Sequence, residues 1–259
     1  MSRASMIFGL MLHDYKIFLS THWRLLELLY FPITTIIIWG LFAVWTNELA
    51  SSAGMIALAV NIFWSWAYTV QSTANIAMNE DAWSGEAAEV FATGMSKWEY
   101  MGARIMLAVT LSVLNMFIVA AISQAFGFFD FVELFAPTLA LAGTVFMASI
   151  GIAMIVAGIF FAVGIEHTWL AFSAMQFFVL LSSPLSPPAM LPAVLQSVAS
   201  VMPFTALFEG VRALVTGQPW LAFVQTAALV GLVYLAIGLV CYHFGFERAR
   251  RTGQLARAV

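Results

Sequence analysis

Residues 168–208 read TWLAFSAMQFFVLLSSPLSPPAMLPAVLQSVASVMPFTALF, a run of 41 residues without one Asp, Glu, Lys or Arg. A bilayer core needs only about 20 apolar residues to be spanned, so this run is about twice as long as one span requires. Five of the eight prolines fall inside it. Because proline lacks a backbone donor and clashes with the preceding turn, the sequence predicts a helix that breaks near Ser182-Ser183-Pro184 and re-forms as short helices.

The second half of this run is predicted to be a re-entrant or interfacial element. Non-helical backbone at membrane depth persists only where protein or a water-filled cavity covers it. The pattern therefore indicates a broken segment that lies beside a translocation path.

The composition of the whole chain indicates a membrane environment. Of 259 residues, 63% are apolar and 9% are charged, whereas about 25% of the residues of a soluble domain are charged. The single cysteine, Cys241, excludes an intramolecular disulfide framework and a cysteine-based metal site. The chain also lacks a basic cluster with interleaved aromatic residues, which argues against nucleic-acid binding. The sequence thus predicts an all-α polytopic membrane protein.

Uncharged stretches of the sequence predict six membrane spans, with approximate edges at 28–46, 54–77, 104–126, 137–163, 168–183 and 220–244. Residues 1–27 are predicted to form an amphipathic helix in the membrane interface. Its apolar stripe consists of Ile7, Met11, Tyr15 and Phe18. The alternative for this segment is a frayed extension of the first span.

The chain contains no internal repeat, so a single membrane domain over 1–259 is expected. Spans one to five occupy 28–183, the outer re-entrant segment occupies 184–219, and the sixth span with a basic tail occupies 220–259. Six spans place both termini on one side of the membrane. Nine of the ten basic residues then lie on that side, with Arg212 on the other. The positive-inside rule therefore predicts that both termini are cytoplasmic.

Two spans carry polar stripes. In span two, Asn61, Ser65, Tyr68 and Ser72 recur at steps of three and four, with Asn75 one turn further. Such a face turns inward, either to line a pathway or to make interhelical hydrogen bonds. In span five, Phe172, Met175 and Gln176 form a mixed aromatic, thioether and amide stripe. That stripe suits amphiphilic cargo, with core packing as the alternative.

Small residues in span four, among them Gly151 and Gly158, allow another helix to approach closely. Asn115, in the middle of span three, is expected to hydrogen-bond to another helix. On the outer side, Glu209 and Arg212 are one helical turn apart and are expected to pair.

The predicted cytoplasmic loop 78–103 contains a short amphipathic helix. Glu86, Glu89 and Val90 have helical spacing, so the segment can expose carboxylates and present apolar side chains to a partner. Gly94 is expected to end this helix. A solvated acidic loop is the alternative.

Catalytic motifs are missing from the sequence. The chain has neither H-E-x-x-H nor G-x-S-x-G. Its two lysines do not follow a glycine-rich phosphate loop. No enzymatic activity, metal or cofactor is therefore expected on this chain. Because no ionisable residue is predicted deep in a span, coupling to a proton or sodium gradient is not favoured.

Two segments resemble the membrane subunits of type-2 ATP-binding-cassette (ABC) exporters. The first runs from Gly85-Glu86 to Thr93-Gly94-Met95-Ser96 and on through Glu99-Tyr100-Met101-Gly102, with Gly94 where that family usually has proline. The second contains Pro188, Leu191-Pro192, Leu195, Pro203-Phe204, Glu209-Gly210, Arg212 and Gly217.

This resemblance implies a half-transporter in the cytoplasmic (inner) membrane. It would pair with a second copy or a related permease, contact membrane lipids, and bind two separate ATPase subunits that carry ATP and Mg. The implied ATPase-coupling residues are Glu80, Asp81, Trp83, Glu86, Glu89, Val90, Phe91, Glu166 and His167. The implied outer gate consists of Pro188, Leu191, Pro192, Pro203, Glu209 and Arg212. Spans two and five would line the path of an amphiphilic, lipid-like, drug-like or glycan substrate. An ATP-independent secondary carrier or channel is the alternative.

Overall fold

The computed structural model of the protein describes residues 3–48, 52–130, 132–164, 167 and 169–253. The regular structure in these ranges is helical, as predicted, with a short 3-10 helix at Pro188–Met190. The ten α-helices of the described ranges are α1 (Arg3–Ser20), α2 (His22–Glu48), α3 (Ala53–Ser84), α4 (Glu86–Ala92), α5 (Lys97–Phe126), α6 (Phe135–Val163), α7 (Leu170–Leu181), α8 (Ala193–Val201), α9 (Thr205–Val215) and α10 (Leu221–Thr252).

Four of these helices, α3, α5, α6 and α10, are long and apolar enough to cross a membrane. They correspond to the predicted spans two, three, four and six. Helices α8 and α9 meet at a 95° bend and count together as a fifth candidate. The chain is therefore a helical, multi-pass membrane protein.

Predicted spans one and five correspond to shorter apolar helices. The apolar part of α2 is Pro32–Asn47, and α7 has 12 residues. At 1.5 Å per residue, α7 is about 18 Å long, compared with a hydrocarbon core of about 30 Å. Helix α7 alone is thus too short to cross the core, and six spans stay a prediction.

Helices α6 and α10 pack backbone against backbone. Gly151 and Gly158 of α6 face Gly238 and Gly245 of α10, and a Cβ atom on any of the four would overlap the opposite backbone. At Gly151, for example, it would lie 2.6 Å from the carbonyl carbon of Tyr234. This contact confirms the prediction that small residues in span four allow close helix approach.

Helix α1 packs Leu10 and Asp14 against the protein, whereas Tyr15 of the predicted apolar stripe is 48% exposed. The buried face is set partly by the carboxylate of Asp14, which pairs with Arg104 of α5. Hydrophobic periodicity does not reveal such an ion pair. The rest of the stripe is half-buried, at Ile7, Met11 and Phe18.

The predicted cytoplasmic connection 78–103 is mostly helical in the structure. Helix α3 continues to Ser84, α4 follows after one residue, and α5 begins at Lys97. Gly85 and Gly94 separate the helices in left-handed conformations, with φ of 80° and 86°. Gly94 follows the end of α4, as predicted. Ser96 then starts α5 with a capping box, in which its hydroxyl accepts from the backbone N–H of Glu99.

The long apolar run breaks where its prolines predict. Helix α7 ends at Leu181, and Ser183 adopts an unusual positive φ of 53°. Pro192 immediately precedes α8. Pro203 lies in the 95° bend between α8 and α9.

Candidate functional site

A cavity of about 440 Å³ runs along α3. Helices α1, α2 and α5 supply its other walls, while α4 and α7 each contribute one residue. Pockets for small molecules typically measure about 300–1,000 Å³. The cavity is therefore large enough for a drug-sized ligand.

The polar face of α3 forms the longest wall of the cavity. Asn61, Ser65, Tyr68 and Ser72 all line it, together with Thr69 and Thr73. The lining residues of α3 extend from Asn61 to Asp81, a distance of about 30 Å along the helix. The four predicted pathway residues of span two are thus brought together on one wall.

Two other polar residues of α3, Gln71 and Asn75, make hydrogen bonds to neighbouring helices. Such bonds were the alternative to pathway lining for the polar face of this helix. The amide nitrogen of Asn75 donates to the carbonyl oxygen of Ala153 at 3.0 Å. Gln71 donates to the amide oxygen of Asn75 at 2.7 Å and to the carbonyl oxygen of Ala171 at 3.0 Å. The two interpretations of the polar series therefore hold for different residues.

The three predicted pathway residues of span five also have different surroundings. Gln176 lines the cavity, whereas Phe172 and Met175 do not. Phe172 is exposed and Met175 is completely buried in the core. Since Met175 and Gln176 are adjacent, α7 cannot turn both side chains to the same side.

One end of the cavity carries a buried ion-pair network. The guanidinium of Arg104 contacts the carboxylates of Asp14 and Asp81, and the three side chains are 1%, 6% and 7% exposed. The hydroxyl of Tyr100 donates to Asp81 at 2.6 Å. The network joins α1, α3 and α5, and its charged members line the cavity. Two carboxylates share one guanidinium, so the ion pairs compensate only part of the negative charge that is buried away from water.

The sequence did not predict this network. Arg104 was counted among the nine basic residues on the cytoplasmic side, and Asp81 was expected to be a coupling residue. The available signal was a basic residue at the start of an apolar span and an aspartate inside the N-terminal helix. Such signals show that a partner is needed, but they do not identify it.

Asn115 lies farther along α5 and also lines the cavity. It is 2% exposed, and its side-chain oxygen accepts no hydrogen bond from the described residues. The expectation that Asn115 bonds to another helix was therefore wrong for this oxygen. About 16 Å separates Asn115 from Arg104 along the helix.

The predicted coupling residues lie on several faces of the α3–α4 corner. Trp83 is 62% exposed, and Glu89 is exposed as well. Glu80, Asp81 and Glu86 line the cavity, although Glu80 also has an exposed surface. Asp81 is not on the outer surface, because it pairs with Arg104.

Val90 and Phe91 face the protein body. Phe91 contacts the rings of Tyr100 and Phe246, with centroid distances of 5.0 Å in both cases. Val90 packs against the same core cluster. These two apolar residues seat α4 on α5 and α10. The other two predicted coupling residues are Glu166 and His167. His167 is half-buried, and Glu166 lies outside the described residues.

The predicted outer-gate residues surround the break after α7. Arg212 pairs with Glu209 at 2.5 Å, which confirms that expectation. Arg212 also donates to the carbonyl oxygens of Ser183 at 3.1 Å and Pro184 at 2.9 Å. The guanidinium thus binds the irregular backbone at the break. The remaining predicted residues occupy the connections around α8, at Pro188, Leu191, Pro192 and Pro203.

Within the described ranges, no three His, Cys, Asp or Glu side chains come together in a way that could hold a metal ion. Comparison with known proteins gives no similar protein: no family model matches the sequence, and neither curated proteins nor solved structures provide a match.

Proposed function

We propose that this chain is the membrane subunit of an ATP-driven exporter of the type-2 ABC class. In this proposal it moves an amphiphilic, lipid-like, drug-like or glycan substrate outward by alternating access. The motifs at 85–102 and 188–217 support the class. The cavity along α3 supports a substrate with both apolar and polar parts.

The observation that carries the proposal is the position of α4 beside the cavity. Glu80, Asp81 and Glu86 line one end of the cavity, while Trp83 and Glu89 face outward from the same corner. Only Gly85 separates α3 from α4. A partner that pushed on Trp83 and Glu89 would therefore displace residues of the cavity wall.

The remaining parts of the proposal concern assembly and topology. The protein lies in the inner membrane of the cell. Its six spans place both termini in the cytoplasm. Two such subunits, identical or related, bind two ATPase subunits that hold ATP and Mg. The α3–α4 corner forms one ATPase contact, and the segment that contains Glu166 and His167 forms the second. The segment bound by Arg212 shapes the outer gate.

The test begins with purification of the tagged chain from the membranes of its source cells and identification of a co-purifying ATPase. Glu89→Lys reverses an outward-facing charge on α4 without changing the cavity wall. We expect this variant to assemble normally but to lose most of the ATP hydrolysis that depends on the membrane subunit.

Glu133→Lys is the matched control, because Glu133 is also exposed but lies far along the chain, in the connection before α6. Unchanged ATP hydrolysis in Glu89→Lys, or an equal loss in Glu133→Lys, would contradict the coupling role of α4. Substrate movement by the chain alone on an ion gradient would favour the secondary carrier.

A further inference from the structure

We propose that the exposed side of α10 binds one anionic phospholipid, with an acyl chain along an apolar stripe and the phosphate between Arg248 and Arg251. Such binding is a property of this chain and does not depend on the proposed export. Three features support the site: an exposed apolar stripe, two arginines that continue it, and a tryptophan at the level of the membrane surface.

The apolar stripe consists of four exposed side chains of α10, at Val233, Ile237, Val240 and Phe244. They recur at steps of three and four, so they lie on one side of the helix. The glycine contact with α6 uses a different side of α10. The stripe is about 16 Å long, close to the hydrocarbon thickness of one leaflet, which is about 15 Å. It therefore matches the acyl chain of a phospholipid in length and in polarity.

Two arginines continue this stripe beyond Phe244. Arg248 follows one turn later and Arg251 about two turns later, and both are exposed. Residues three apart on a helix have Cβ atoms about 5–6 Å from each other, so both guanidinium groups can reach one phosphate. Arginine binds phosphate through two parallel hydrogen bonds. None of the described acidic side chains pairs with either arginine.

Glu247 is the one acidic residue of α10. Its carboxylate contacts Lys97 at 2.6 Å and Arg250 at 2.8 Å. Because two cations already match this charge, Glu247 leaves the positive field of the two arginines in place. Basic residues beside a membrane attract anionic headgroups in preference to zwitterionic ones.

Trp98 of α5 lies at the level of the membrane surface at this end of α10. It is exposed, and its ring contacts Tyr242 and His243 with centroid distances of 5.5 and 6.3 Å. Tryptophan favours the headgroup level. Arg248 is about 7.5 Å beyond His243 along the helix, and Arg251 about 12 Å. Because helical side chains tilt toward the N-terminus, which here leads into the membrane, both guanidinium groups extend back to the headgroups.

The experiment measures lipid binding to the full, delipidated chain in a neutral detergent by native mass spectrometry. One probe is dioleoyl phosphatidylglycerol, which is anionic. The other is dioleoyl phosphatidylcholine, which is zwitterionic and has the same acyl chains. A third arm adds glycerol 1-phosphate, which carries a phosphate but no acyl chain.

We expect the first phosphatidylglycerol to bind at least about tenfold more tightly than phosphatidylcholine, because each arginine near the headgroup contributes a preference of about fivefold. Glycerol 1-phosphate at the same concentration should not displace it, since burial of the acyl chain contributes much of the affinity. Equal binding of the two phospholipids, or displacement by glycerol 1-phosphate, would overturn the inference.

Matched variants assign the preference to its residues. In the double variant Arg248→Gln/Arg251→Gln, the preference for phosphatidylglycerol should fall by about tenfold. Arg250→Gln is the control, because it removes an arginine from another side of the same turns, where Arg250 pairs with Glu247. We expect it to change the preference by less than about twofold. An unchanged preference in the double variant, or an equal fall in the control, would contradict the assignment.

Phe244→Ala tests the apolar stripe. It should weaken the binding of both phospholipids by a similar factor, because the ring contacts the acyl chain and not the headgroup. The same spectra report whether a second copy covers this side of α10. A dimer that Phe244→Ala dissociates, together with equal binding of the two phospholipids, would assign the stripe to a second copy and overturn the lipid site.

Discussion

The guanidinium of Arg104 contacts the carboxylate of Asp14, so the N-terminal helix α1 is attached to the transmembrane helix α5 by a buried ion pair. The same guanidinium contacts Asp81 at the end of α3. A helix predicted to lie in the membrane interface is thereby connected to the wall of the cavity. Movement of α1 would carry Asp14, which lines the cavity, with it.

Replacing Arg104 should destabilise the protein strongly. Arg104→Met leaves two buried carboxylates without their counter-charge, and we expect a loss of about 3–5 kcal/mol. Thermal unfolding in detergent measures the loss as a lower Tm. Adding Asp14→Asn and Asp81→Asn should recover part of it, since the buried charges are then removed together.

The control for Arg104 is Arg250→Met. Arg250 pairs with Glu247 but its side chain is 67% exposed, so we expect a change within about 1 kcal/mol. An equal effect of the two substitutions would argue against a buried network at Arg104.

The contact between α6 and α10 predicts opposite outcomes for two glycines on one helix. A Cβ atom at Gly158 would overlap the backbone of Cys241, whereas nothing lies within 4 Å of a Cβ atom at Gly143. Gly158→Ala should therefore destabilise the protein by about 1–3 kcal/mol. Gly143→Ala should be neutral or stabilising by up to about 1 kcal/mol. Unfolding by denaturant checks both, and a neutral Gly158→Ala would rule out this packing.

Gly94 should not tolerate the proline that is usual at this position in the exporter family. Its φ is 86°, whereas proline fixes φ near −65°. Its N–H also donates to the carbonyl oxygen of Phe91 at 3.1 Å. Gly94→Pro should cost about 3 kcal/mol or more. Gly94→Asn should cost less, because asparagine adopts the left-handed conformation more readily.

The two Gly94 variants are compared by Tm in detergent and by yield of folded protein. A Gly94→Pro protein as stable as the unmodified chain would contradict the turn between α4 and α5.

Arg212 is expected to order the break after α7. Arg212→Met removes its hydrogen bonds to the carbonyl oxygens of Ser183 and Pro184, and each bond to a charged group contributes about 1.5–3 kcal/mol. Hydrogen exchange of residues 182–192 should therefore become faster. Glu209→Gln keeps both backbone contacts and should have a smaller effect. Equal exchange in the two variants would show that the Glu209 pair, not the backbone contacts, holds the segment.

The sequence predicted features that follow from local rules. The break near Ser182, the helix end at Gly94 and the pair of Glu209 with Arg212 each depend on residues within a few positions of one another. The polar wall at Asn61, Ser65, Tyr68 and Ser72 follows from helical periodicity. These rules need no knowledge of how the helices are arranged.

Features that depend on the arrangement of helices escaped prediction. Asp14, Asp81 and Arg104 come from three helices, and nothing local identifies them as partners. Helix α7 is oriented so that Met175 lies in the core. The adjacent Gln176 therefore lies on a different side of the helix and lines the cavity. Phe91 was expected to contact a partner subunit, whereas its ring contacts Phe246, which lies far away in the sequence.

Uptake of a fluorescent amphiphile into inside-out vesicles that contain the chain and its co-purified ATPase tests the proposed exporter most directly. Uptake should require hydrolysable ATP, should fail with a non-hydrolysable analogue, and should be lost in Glu89→Lys while Glu133→Lys retains it. Uptake that proceeds without ATP on a proton or sodium gradient, with Glu89→Lys fully active, would contradict an ATP-driven exporter coupled through α4.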